Sequence, residues 1–95
     1  MNLETIHTLD KPLQTKSLFT SGDGKIIAIK ILASHELKEH SSPVAALLMC
    51  VIGKAVFEDE KGQSVTLLPG DFVPIEPHVK HRVHAEQDSH LLLMK

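Results

Sequence analysis

Residues 44–53 read VAALLMCVIG, the most apolar run in the chain. A half-solvated strand alternates apolar with polar residues, but here both faces are apolar, so both must be covered. A helix is disfavoured, because the run is too short to stand alone and closes without caps on the β-branched pair Val51-Ile52 and Gly53. The stretch is therefore predicted to be a strand, with a core on one side and either a second packed layer or another copy of the chain on the other. If Ala46 turns inward, strand parity turns Leu48, Cys50 and Ile52 inward too, and Leu47, Met49 and Val51 outward.

The flanks repeat the pattern of short strands and tight turns. On the N-terminal side, Thr15 to Thr20 and Lys25 to Ala33 flank SGDG at 21–24, whose Asp-Gly supplies the positive φ of a hairpin turn. SHELKEHSSP at 34–43 is polar, ends in Pro43 and is predicted to be an irregular connection. On the C-terminal side, KAVFEDEKGQSVTLL reads as a hairpin turning at 59–62, and Pro69-Gly70 marks another turn. Pro74 and Pro77 confine DFVPIEPHV to a sheet edge or extended loop. KHRVHAEQ and HLLLMK close the chain as two short strands around residues 86–89. No sustained helical periodicity, repeat or linker interrupts this order, so the chain is predicted to be all-β, a sandwich or barrel in a single domain over residues 1–95.

Composition narrows the function. With 95 residues, folding buries roughly 60–65% of the extended surface, so a dimer interface would supplement the core. Ten Lys and Arg against twelve Asp and Glu leave a net charge of −2, which predicts no nucleic-acid partner. The lone Cys50 cannot form an internal disulfide framework, and no apolar run approaches a membrane span; we expect a cytoplasmic protein with no membrane partner. Cys50, turned inward, is expected to be a small buried hydrophobe with a raised pKa. Two oddities stand out: seven histidines, and three aromatics that are all Phe.

Two segments carry a family resemblance. HSSPVAALLMCVIG, residues 40–53, resembles the first motif of the cupins: a His-x-His pair, a Glu four residues after the second His, and a strand ending in Gly. PGDFVPIEPHVKH, residues 69–81, resembles the second, in which a Pro-Gly-Asp turn leads through a proline-containing strand to a His. Residues 32–84 thus resemble a small RmlC-like cupin of the conserved-barrel type, which implies a jelly-roll-like double-stranded β-helix over almost the whole chain. The resemblance also implies a divalent metal held by three His and one Glu. Carried over by position, His40 and His81 match two of those histidines, while the other two ligands fall on Ser42 and Ala46. The glycine usual three residues before the last histidine is His78, and the proline just before that histidine is Lys80.

Two imidazoles without a carboxylate hold a dication weakly. The expected metal is accordingly none, or a loosely held Fe, Mn, Ni or Zn on His40 and His81, with His35 or His78 as completing ligands. His84 lies three residues from His81, so on a strand the two point to opposite faces.

The leading expectation is a homodimer, joined through Leu47, Met49 and Val51, that binds a small molecule in an apolar cavity marked by His40 and His81 and lined by Ser42, Leu48, Cys50, Phe72 and Val83. Two alternatives stay open. One is a metal-dependent cupin enzyme of dioxygenase or isomerase type. The other is an interaction module whose interior is packed shut by Leu48, Cys50, Ile52, Phe72 and Val83. Because sugar-epimerising cupins use a tyrosine acid, the absence of tyrosine removes that design.

Overall fold

The computed structural model describes residues 1–95 and contains nine strands and no helix, so no helix is long and apolar enough to cross a membrane. The strands are β1 (Leu13–Ser21), β2 (Gly24–Ile31), β3 (Glu36–His40), β4 (Ala46–Ile52), β5 (Ala55–Asp59), β6 (Ser64–Leu67), β7 (Phe72–Ile75), β8 (His81–Ala85) and β9 (Ser89–Met94). They form two antiparallel sheets, a five-stranded one in the order β1-β2-β9-β4-β7 and a four-stranded one in the order β3-β8-β5-β6. The expected hairpins β1–β2 and β5–β6 are present, and the proline-bearing β7 lies at a sheet edge, where the missing donor of Pro74 breaks no interior ladder.

One expectation is corrected. The polar segment 34–43 is not wholly irregular, because Glu36–His40 form β3, pairing Glu36 with His84, Leu37 with Val83 and, after a register shift, His40 with His81. β3 is the outermost strand of the smaller sheet, and only Leu37 packs inward, so most of its side chains meet water and the apolar alternation that signals a strand is missing.

The space between the sheets is filled. The inner face of the larger sheet contributes Ile29, Ile31, Leu48, Cys50, Val73, Ile75 and Leu91, and that of the smaller sheet Ala55, Phe57, Leu67, Val83 and Ala85. The Ile, Leu, Val and Phe side chains among them each contribute roughly 1.5–3 kcal/mol on burial. Gly53 joins β4 to β5 at φ 93°, and a side chain there would collide with the Asp88 carbonyl oxygen and the Ser89 side chain, so only glycine fits. The parity expected of β4 holds as far as Cys50: Leu48 and Cys50 are buried in the core, and Leu47 and Met49 face the other way. A register shift after Cys50 then pairs Ile52 with His90 of the outer face, so Ile52, expected inward, is not part of the core.

The outer face of the larger sheet is also apolar. One cross-strand row runs through Phe19, Ile26, Met94, Leu47 and Pro74, and the next includes Ala28, Leu92, Met49 and Phe72. Beside this band the N-terminal segment lies against the sheet. Asn2 starts a turn by accepting bonds from Thr5 and Ile6, and the buried Gln14 side chain ties down Leu9 and Lys11.

Candidate functional site

The register of β3 on β8 places His40 beside His81 at one mouth of the barrel, with ring centroids 4.3 Å apart in an edge-on arrangement. His81 is buried and stacks on Phe57 at 5.6 Å, whereas His40 sits exposed at the rim. The two rings share one local anchor. His40 Nδ1 lies 2.8 Å from the Lys38 carbonyl oxygen, and His81 Nδ1 lies 3.1 Å from that of Val79. A carbonyl only accepts, so each Nδ1 carries a proton, and in the neutral ring Nε2 keeps the lone pair. Burial holds the pKa of His81 below the ordinary histidine value, and the neighbouring His40 and Lys95 push the same way against the raising influence of the Val79 carbonyl and Asp59.

The two imidazoles open onto a pocket of about 170 Å³, lined also by Ser41, Ser42, Pro43, Ala46, Ile75, Leu93 and Lys95. The Ser42 oxygen accepts a 3.3 Å bond from the Val44 amide, which leaves its hydroxyl proton free to donate. No Asp or Glu lines the pocket.

Of the residues expected in a cavity, His40, Ser42 and His81 are brought together here, and four are not. Leu48, Cys50 and Val83 lie within the packed core, where burial, and secondarily Asp71, raises the Cys50 pKa. Phe72 faces away from the core and is 58% exposed, because its pairing with Met49 puts it on the outer face. The expected apolar cavity is thus a mixed polar and apolar pocket at the mouth, and Phe72 has no part in closing the interior. His35 is separated from the pair, for its backbone bonds to Ala85 at the opposite end of β8 from His81. His78 comes closer: its amide donates to the Ser42 carbonyl at 2.7 Å, but its side chain is not part of the lining. It adopts φ 64°, the left-handed conformation that explains why a glycine would suit this position.

These residues do not fit a resident metal with three or four protein ligands. No group of three His, Cys, Asp or Glu side chains converges, Ala46 offers no donor, and the one formally charged lining residue, Lys95, repels a dication.

Lys95, Ser41, Pro43, Ile75 and Leu93 escaped sequence reasoning. Leu93 was within reach, since it alternates with the inward Leu91; Lys95 carries no signal, because its approach depends on where β9 lies in the sheet. A second histidine pair was missed as well. His7 of the N-terminal segment and His90 on the outer face of β9 lie 6.1 Å apart between ring centroids, both buried, with His7 Nε2 and His90 Nδ1 lacking any partner. Burial lowers the pKa of both, reinforced by Lys30 and, for His7, by His90 and Lys16; for His90 the carboxylates of Glu4 and Asp88 oppose the shift.

No protein-family model matches the sequence, and no curated protein matches it significantly. Solved structures match closely in shape. A cupin superfamily protein from Desulfitobacterium hafniense DCB-2 superposes with a TM-score of 0.86 at 17% identity, covering 98% of this chain and 84% of that one. An RmlC-like cupin from Desulfovibrio desulfuricans gives 0.84 at 20% identity over 98% of this chain and 90% of that one. KdgF from a Halomonas species gives 0.82 at 23% identity over 99% and 87%. Two facing antiparallel sheets that follow these structures over nearly every residue make the fold of this chain the cupin fold.

Proposed function

We propose that the protein binds a small organic molecule in the mouth pocket, with the Nε2 atoms of His40 and His81 as hydrogen-bond acceptors and the Ser42 hydroxyl as a donor. The observation that carries this reading is the matched anchoring of the two rings: each Nδ1 is committed to a backbone carbonyl two residues earlier, so both imidazoles are held in one tautomer beside an open pocket. Such pre-set acceptors lower the ordering cost of binding. Because the space between the sheets is packed, the ligand is confined to the mouth. Screening a fragment library by nitrogen-15 NMR tests this. Hits should shift the amides of Ser42 and His81 saturably, and His40→Ala should abolish those shifts; fragments that bind only elsewhere, or none that bind, would refute it.

We also propose that a second copy covers the outer apolar band around Leu47 and Met49. The band crosses all five strands of the larger sheet and exposes Phe19 and Phe72, more contiguous apolar surface than a lone domain usually shows to water, and its residues suit a self-complementary two-fold contact. Sedimentation should show a dimer that Met49→Lys dissociates; a monomeric wild type, or a dimer unaffected by the charge, ends this proposal.

A further inference from the structure

Resting on that reading of the mouth pocket, the structure assigns its ligand a class: we propose a short hydroxycarboxylate, with its carboxylate on Lys95 and the seryl hydroxyls and its hydroxyl donated to an imidazole Nε2.

Among its side chains the lining holds one formal cation, Lys95, and no carboxylate, so a ligand anion meets a cation there and no acidic side chain. Asp59, the carboxylate in register with His81, is already engaged, because its Oδ1 accepts bonds from the Lys61 and Gln63 amides at 2.9 and 3.0 Å in the β5–β6 turn. Lys95 is half-buried and its ammonium has no ion-pair partner. Its backbone is fixed by a two-way exchange with Lys25, at 2.6 and 3.0 Å, so it is held at the pocket by the sheet.

Hydrogen-bond polarity then completes the class. An anion alone would satisfy Lys95 and the serines but would meet two lone pairs at the imidazoles. With both Nδ1 atoms donating to carbonyls, the rings present acceptors and call for a ligand donor. A hydroxyl attached to a carboxylate-bearing carbon chain supplies both kinds of group. The apolar wall of Pro43, Ala46, Ile75 and Leu93 receives the chain. Size sets the limit: about 170 Å³ equals the liquid volume of about five or six waters, which admits a chain of a few carbons.

Lactate and propane-1,2-diol provide the test, since they share a carbon chain and a hydroxyl and differ by the carboxylate. In nitrogen-15 NMR titrations of the whole chain at constant ionic strength, lactate should shift the Ser42, His81 and Lys95 amides saturably and bind about tenfold tighter than the diol. Lys95→Gln, just past the last strand and outside the packed core, should remove that advantage, leaving lactate no tighter than the diol. Propionate, which lacks the hydroxyl, should bind more weakly than lactate. Equal binding of diol and lactate, or an undiminished lactate affinity in Lys95→Gln, overturns the class while pocket binding itself stands. If library fragments reach the pocket and no carboxylate does, the class again fails alone; if nothing reaches it, both readings fail.

Discussion

The molecule carries two histidine pairs, and they are built on opposite terms. At the mouth, each ring of His40 and His81 has one nitrogen bonded to a backbone carbonyl and the other free beside a pocket. On the outer face, His7 and His90 lie sealed beneath the N-terminal segment, each with a nitrogen that meets neither water nor a partner. A buried polar atom left unbonded costs about 1–3 kcal/mol, so the outer pair detracts from stability, whereas the mouth pair has its local needs met and acceptors to spare. The difference teaches that an excess of histidine says little about chemistry until both nitrogens of each ring are followed to their partners.

Phe57 packs in the core and stacks on His81 but has no part in the outer pair. Phe57→Ala should destabilise the fold by about 3–5 kcal/mol in urea titrations, a large share of what a domain this size possesses. The milder Phe57→Leu keeps the core filled, and in it the imidazole NMR signals of His81 should move while those of His7 and His90 stay put. Movement of all three alike would mean the two sites are coupled through the sheet.

Acid separates the pairs next. His7, His81 and His90 are all held below the ordinary value of 6.5 by burial, so the unfolded chain binds protons that the folded chain resists. Their contribution to stability is therefore complete above about pH 6.5 and declines as the pH falls below it. The melting temperature should drop with acidification from neutrality. The double variant His7→Leu, His90→Leu removes two of the three groups together with both orphaned nitrogens, and should flatten that drop while raising stability at neutral pH by about 1 kcal/mol. An unchanged acid slope in the double variant would show that the outer pair is neutralised by other means.

The smallest expected effect is the most pointed. His40 is exposed, so His40→Ala should alter stability by less than about 0.5 kcal/mol, as surface changes usually do, although it removes an acceptor from the pocket. A large loss of stability would make His40 a structural residue of the same kind as His90.

Much of the fold was legible because the strands that build the core announce themselves: β4 is apolar on both faces, and the turns carry Asp-Gly and Pro-Gly. β3 was not, since an outermost strand with one inward residue has no pattern to read. The same divide runs through the site. His40 and His81 were found from motif spacing, but the spacing does not reveal that Phe72 turns outward, that Leu48 and Val83 fill the core rather than line a space, or that Lys95 reaches the mouth. Those facts depend on which strands become neighbours, a property of the whole topology and not of any local segment. The pairing of His7 with His90, 83 positions apart by subtraction of their numbers, is invisible for the same reason.

The place of β9 has a consequence for how the protein is made. This last strand is the middle one of the five-stranded sheet, inserted between β2 and β4. Until it arrives, β1–β2 and β4–β7 are two separate ribbons with no shared ladder, each with an apolar side uncovered. Every strand from β1 to β9 must therefore be available before the sheet can close, and folding is expected to be slow for its length, as pairings between distant segments require. Through that interval the exposed edges of β2 and β4 are open to strands of other copies, so the half-built sheet is the species from which this protein would aggregate.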